Sequence, residues 1–349
     1  MCGDRSRLIA AWLGVCGACL REEPEKARRL AVEAHQRARA LFDLPEQSPR
    51  TEGGIRCGRC VQDCVIGEGE KGFCGLRRVQ AGQLEVTAGR SDGGLLHWYR
   101  DGLPTNCVAD PFCTGHAQQG CHNLAVFYGS CTMDCLSCQN YHFREIDPAE
   151  AELCSAEALA ERANWRTHCV CFFGGDPASQ MDHALAAARL LAERGVAVCW
   201  ETNGTARSSL MDQAFDLALA SGGCVKIDLK ALDGTLHYAL TGAGESQTLE
   251  NVGRLASRFD ERAEPPLVVS TLLVPGYVTA GEVGRMAGFI AERNPAVPYV
   301  LLGFAPHFLF PDLPRTSVAH AEAAEAAARD AGLERVRVGN RHLLSHGET

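Results

Sequence analysis

From about residue 123 onward, short apolar runs alternate with helical stretches, and this alternation restricts the fold more than any other feature of the chain. The runs lie at 124–128, 169–173, 196–200, 224–229, 267–274 and 299–304, with a short seventh at 335–338. Helical stretches at 155–163, 179–194, 208–220, 246–258, 279–293 and 318–331 separate them. Such alternation predicts a parallel sheet joined by right-handed crossovers. Six repeats predict an α/β fold, a partial (β/α)6 barrel of the TIM type. A polar motif follows each run. These are Cys131, Cys135 and Cys138; Gly174 to Pro177; Glu201 to Gly204; Asp228 and Lys230; Pro275 and Gly276; and His307. Barrel-type α/β proteins place their active sites at the C-terminal ends of strands, so one rim is expected to carry the chemistry.

The second constraint is cysteine. The chain has 18, and thirteen fall at or before residue 138: Cys2, Cys16, Cys19, Cys57, Cys60, Cys64, Cys74, Cys107, Cys113, Cys121, Cys131, Cys135 and Cys138. A secreted disulfide scaffold is usually short and poor in core, whereas 349 residues at 46% hydrophobic can build a large one. Spacings of two and three residues between cysteines suit metal chelation, so a metal protein of a reducing cytoplasm is expected. The formal charge of -9 argues against nucleic acid as a partner. The apolar run at 8–20 is too short to span a bilayer, and it reads better as a helix with an apolar face than as a signal peptide.

Cys131, Cys135 and Cys138 supply three thiolates in one short loop after a strand. A structural zinc site takes a fourth ligand, which His142 could provide. A cubane iron–sulfur cluster held by three cysteines instead leaves one iron open to a substrate. The three-then-two spacing, the strand before it and the rim motifs after it resemble the radical S-adenosylmethionine (radical SAM) enzymes over about residues 123–310. The resemblance implies that the three cysteines hold a [4Fe–4S] cluster whose free iron chelates SAM. Reductive cleavage would then give methionine and a hydrogen-abstracting 5′-deoxyadenosyl radical.

The rim motifs take their implied roles from the same resemblance. Gly174, Gly175 and Asp176 stand where the family has Gly-Gly-Glu-Pro, whose backbone meets the amino group of SAM. Glu201 and Asn203, in Glu-Thr-Asn-Gly, resemble the Asp-Thr-Asn-Gly of glycyl-radical activating enzymes. The alternation around Asp228 and Lys230 puts both charges on one side of a strand. The resemblance sets them against the ribose and carboxylate of SAM, and an internal ion pair is the other reading. His307 resembles a histidine that approaches SAM, and an exposed loop histidine is its alternative. The family usually has an aromatic residue before the third cysteine; here it is Ser137, so Tyr141 or Phe143 is expected to substitute.

Cys57, Cys60, Cys64 and Cys74 form a second set, four thiolates in eighteen residues, expected to close around zinc or a second iron–sulfur cluster. A Cys-rich front end of this kind is similar to that of AmmeMemoRadiSam-type proteins, which are activase-like. Three segments are expected: helical 1–50, Cys-rich 51–122 and a catalytic core at 123–349. Cys16 with Cys19 resembles half a metal site, and the roles of Cys107, Cys113 and Cys121 stay open. Cys154, Cys169, Cys171, Cys199 and Cys224 are expected in the core. The expected partners are an electron donor such as flavodoxin or ferredoxin and a protein or small-molecule substrate. The implied reaction is hydrogen abstraction, with a glycine of a partner protein as one candidate source. Modification of a small molecule or peptide is a second possibility, and a non-catalytic metal-binding module a third.

Overall fold

The computed structural model describes residues 7–105, 107–259 and 264–347. Cys2 lies outside them. Four short strands precede the main sheet and form two antiparallel hairpins: β1 (Ile55–Arg56) with β2 (Val65–Ile66), and β3 (Arg77–Gln80) with β4 (Gln83–Val86). The main sheet has eight strands. They are β5 (Leu96–Gly102), β6 (His122–Tyr128), β7 (Thr167–Gly174), β8 (Ala197–Thr202), β9 (Val225–Asp228), β10 (Leu267–Leu273), β11 (Tyr299–Gly303) and β12 (Val336–Gly339). Their spatial order is the chain order reversed, β12 to β5, so each strand lies beside its predecessor. β6 to β12 are parallel, and β5 alone runs antiparallel, against β6. An open parallel sheet in sequential order is the partial TIM-type barrel that the alternation predicts.

Helices cover one face. α3 (Ala156–Ala160), α4 (Met181–Glu193), α5 (Ser208–Ser221), α6 (Gly234–Thr241), α7 (Ser246–Ser257), α8 (Ala280–Ala291) and α9 (Val318–Asp330) fill the crossovers. In α4 the buried residues Met181, Ala184, Leu185, Ala188 and Leu191 recur at helical spacing. They join Val170, Phe172, Val198, Trp200, Val225 and Ile227 from one face of the strands in a single core. Phe172 and Trp200 stack there at 4.7 Å. Each such buried side chain contributes roughly 1.5–3 kcal/mol, which fixes strand register because a one-residue slip would reverse the faces.

The segment at 10–38 contributes to this core. The expected helix over 8–20 is instead mostly turns, followed by α1 (Gly17–Glu22) and α2 (Pro24–Ala40). Leu13, Leu20, Ala27, Ala31, Ala34 and Ala38 pack into the barrel core, as do Cys16 and Cys19. Among the described residues no helix is long and apolar enough to cross a membrane. The hairpin region has little core of its own: Cys64, Ile66, Phe73 and Val79 in one cluster, and Leu76, Ala88 and Leu95 in another.

Candidate active site

Strand parity decides what faces the cavity. On the side of the sheet away from the helices, β7 presents Cys169, Cys171 and Phe173, β8 presents Cys199 and Glu201, and β9 presents Lys226 and Asp228. A cavity of about 210 Å³ opens at the C-terminal ends of these strands. It is lined by Cys131, Cys135, Cys138, Gly174, Gly175, Asp176, Glu201, Asn203, Asp228 and Lys230. The chain therefore brings the three cysteines together with Gly174, Gly175, Asp176, Glu201, Asn203, Asp228 and Lys230, whereas Pro275, Gly276 and His307 of the rim motifs do not line the cavity. His307 is exposed and does not line the cavity. Phe143 lines it, whereas Tyr141 stacks on Phe308 at 4.6 Å. His142 is also exposed, faces Glu145 at 3.4 Å and does not line the cavity.

The three-cysteine loop is held from several sides. The amides of Asp134 and Leu136 donate to the carbonyls of Thr241 (2.6 Å) and Leu240 (3.1 Å) at the end of α6. Asp134 is fully buried and meets His35 Nδ1 at 2.9 Å, Arg144 at 3.2 Å and Arg39 at 3.9 Å. Asn203 Nδ2 donates to Thr132 Oγ1 at 3.0 Å and lies 3.6 Å from the Cys131 sulfur.

The Gly174–Asp176 turn serves the loop through its backbone. The amides of Gly175 and Asp176 donate to the carbonyls of Tyr128 (2.9 Å) and Ser130 (2.8 Å). A Cβ on Gly175 would meet the Ser130 oxygen at 2.3 Å, so only glycine allows this approach. The Asp176 carboxylate caps the following turn through the Ala178 amide (2.7 Å) and accepts from the Asn203 amide (2.6 Å) and Thr202 (3.0 Å). It thereby ties the two rim motifs together. Burial pushes its carboxyl up to about 6.

Glu201, Lys226, Asp228 and Lys230 form one charge network. Lys226 Nζ reaches Glu201 at 3.1 Å and Asp228 at 2.9 Å, and Lys230 reaches Asp228 at 3.1 Å. Burial opposes ionisation of Asp228, but Lys226 and Lys230 outweigh it and hold the carboxyl well below its usual range. Lys226 was not among the expected site residues. The parity that places Asp228 and Lys230 on one side of a strand extends two residues back to it.

Three thiols, a small-residue turn and a charged wall fit a cluster with a zwitterionic ligand. Burial pushes the Cys135 thiol up to about 12, with Lys230 opposing it and Cys138 adding to it, so a metal is what would hold it as thiolate. Beside the thiols, Arg144 Nη1 is buried with no hydrogen-bond partner among the described residues, and an electron-rich sulfur centre would supply one.

Two further cysteine groups adjoin this cavity. Cys57, Cys60, Cys64 and Cys74 line one small cavity with Gln62, Phe73 and Arg77. Gln62 Nε2 donates to the Thr132 carbonyl at 2.8 Å, Ser130 Oγ donates to the Cys74 carbonyl at 2.9 Å, and the Val61 amide donates to Thr205 at 2.9 Å. The second set thus sits directly behind the three-cysteine loop and the Asn203–Arg207 turn. Among the described residues, no three His, Cys, Asp or Glu side chains already stand as ligands around a single ion. The four thiols share a cavity without closing on one tetrahedral point.

Beneath the charge network, Cys107, Cys113, Cys169, Cys171, Cys199 and Cys224 line another cavity. The last four were expected as ordinary core residues. The structure places them together because they share strand parity, with Cys171 directly beside Cys199 across β7 and β8. The Cys107 thiol donates to Glu201 at 3.1 Å, so this chamber touches the floor of the main cavity.

Residues 125–290 match the radical SAM superfamily. The match likens the chain to radical SAM enzymes over just under half its length. A Methanocaldococcus jannaschii protein provisionally named a glycyl-radical enzyme activating enzyme is 26% identical over 224 residues, 60% of this chain and 79% of the relative. An uncharacterized protein of the same organism is 22% identical over 294 residues, 82% of this chain and 81% of the relative. The (2S)-3-sulfopropanediol sulfolyase activating enzyme of Bilophila wadsworthia is 31% identical over 104 residues, 30% of this chain and 32% of the relative. The named relatives are activating enzymes, so the likeness is to the activase-like branch of a superfamily whose cofactors are a [4Fe–4S] cluster and SAM.

Proposed function

We propose that Cys131, Cys135 and Cys138 hold the [4Fe–4S] cluster, and that the neighbouring rim binds SAM for reductive cleavage and hydrogen abstraction. The observation that carries this reading is the shared cavity of the three thiols, Gly174, Gly175, Glu201, Asp228 and Lys230. The chemistry the cluster supplies when bound is one electron to the SAM sulfonium, giving methionine and a 5′-deoxyadenosyl radical that takes a hydrogen atom.

The chain's own groups do the binding. The Gly175 and Asp176 amides are already spent on Tyr128 and Ser130, so that turn offers carbonyl oxygens, the polarity an ammonium needs. Lys230 faces the cavity with one carboxylate partner and can take a second from methionine. Asp228 remains ionised and can accept from ribose hydroxyls. Phe143 offers an apolar face for the adenine in place of the aromatic residue absent at Ser137.

The proposed substrate is a glycine of a partner protein, in keeping with the activating-enzyme relatives. Cys57, Cys60, Cys64 and Cys74 are proposed to hold a second cluster or zinc, in a cytoplasmic protein supplied with electrons by a flavodoxin or ferredoxin. Electron paramagnetic resonance of the anaerobically reconstituted, reduced protein tests the assignment. The reading expects a cluster signal that changes on adding SAM and is lost when Cys131, Cys135 and Cys138 are all replaced by Ala. A SAM-responsive signal that survives the triple replacement would overturn it.

A further inference from the structure

Arg144 follows the third cysteine by six residues and lies in the short helical turn Tyr141–Glu145. Its guanidinium is buried, with 1% of the side chain exposed, and it lines the same cavity as Cys131, Cys135 and Cys138. The Phe143 and Phe308 rings each lie 4.9 Å from its central carbon and limit its swing. Its only carboxylate neighbour among the described residues is Asp134, which Arg39 shares. Two buried guanidiniums against one carboxylate leave a positive charge in excess, and Nη1 keeps an unused N–H. A buried cation without a full partner is costly, so the arrangement calls for an anion beside it.

The three thiols provide the place for one. Three thiolates around a doubly positive cubane leave one net negative charge, and reduction adds a second. A nearby cation and a hydrogen bond to sulfur both favour the reduced state. Resting on the cluster assignment above, we propose that Arg144 sets how readily the catalytic cluster is reduced, by placing its charge and its free N–H against the cluster. Asp134 and the two aromatic rings hold it in that position.

The test is a potentiometric titration of the reconstituted protein, followed by the paramagnetic signal that disappears in the triple Cys131, Cys135 and Cys138 replacement. Arg144→Gln, with full iron content, is expected to shift that signal's midpoint to more negative potential. Arg144→Lys keeps the charge but loses the fork, and its midpoint is expected between the two. If Arg144→Gln fails to take up iron, a lowered midpoint in Arg144→Lys supports the proposal and an unchanged one overturns it. Iron-loaded Arg144→Gln with the wild-type midpoint overturns the proposal and leaves the cluster assignment standing. Absence of any signal dependent on the three cysteines overturns both.

Discussion

Lys226 separates Glu201 from Asp228, and its Nζ touches both carboxylates. Its side chain is 5% exposed, so water contributes little to that screening. Lys226→Met leaves two inward carboxylates with Lys230 as their nearest cation. Breaking a buried charge set in this way costs about 3–5 kcal/mol, to be read from anaerobic denaturant unfolding. A cost under about 1 kcal/mol would mean that the network is solvated. Asp176 behaves in the opposite sense. Burial raises its carboxyl from 3.8 to about 6, so between those values the folded chain binds the extra proton. Stability therefore falls as pH rises through that window and levels off above it, by about 3 kcal/mol from this group. Asp176→Asn is expected to remove this component from the pH profile of thermal unfolding.

At this scale the sequence was legible where a residue sits in a short motif and hard to read where only parity relates residues. Cys131, Cys135 and Cys138 announce themselves by spacing. Cys169 and Cys171 lie on β7, Cys199 on β8 and Cys224 just before β9, and only the strand register shows that they meet. Asp134 gives no signal of its own between two cysteines. Its partners His35 and Arg39 come from a helix about a hundred residues earlier.

Among elements, the seven parallel strands follow the apolar runs closely, because buried strands of a parallel sheet read as continuous hydrophobic stretches. β5 has no such run. It is half-exposed, with the sequence Leu-His-Trp-Tyr-Arg-Asp-Gly, and it joins the sheet antiparallel at the edge. α6 is also illegible, being eight residues long and starting just after Lys230, yet its last turn receives two amides of the cysteine loop. The ends of β6 and β7 meet through Gly175, which gives an element-scale prediction. Gly175→Ala forces its Cβ against the Ser130 carbonyl and displaces the cysteine loop. The expected result is a loss of about 1–3 kcal/mol and reduced iron uptake, measured by unfolding and by metal analysis of the reconstituted protein. Wild-type iron content with unchanged stability would show that the loop yields without consequence.

For the whole molecule, the Cys-rich hairpins are fastened to the sheet behind the three-cysteine loop by Gln62, Ser130 and the Val61 amide. Two small apolar clusters, Cys64, Ile66, Phe73 and Val79 in one and Leu76, Ala88 and Leu95 in the other, are too little to hold such a region alone, so its order is expected to depend on metal at Cys57, Cys60, Cys64 and Cys74. Replacing all four by Ser should lower the bound metal and expose residues 51–95 to limited proteolysis, while the sheet stays intact. Equal resistance before and after the replacement would show that packing alone holds the hairpins. By contrast α1 and α2, which the sequence sets apart as a separate segment, share the barrel core. Their apolar faces were visible in sequence, but the surface they cover was not.

The central claim is that the cavity beside Cys131, Cys135 and Cys138 cleaves SAM by one-electron reduction. The most direct measurement is 5′-deoxyadenosine formed anaerobically from SAM and dithionite by the reconstituted protein, beside a control with the three cysteines changed to Ala. The account predicts 5′-deoxyadenosine from the wild type and none from the control. Equal formation by both would contradict it, as would none from a wild-type protein that carries the cluster and binds SAM in the presence of its substrate.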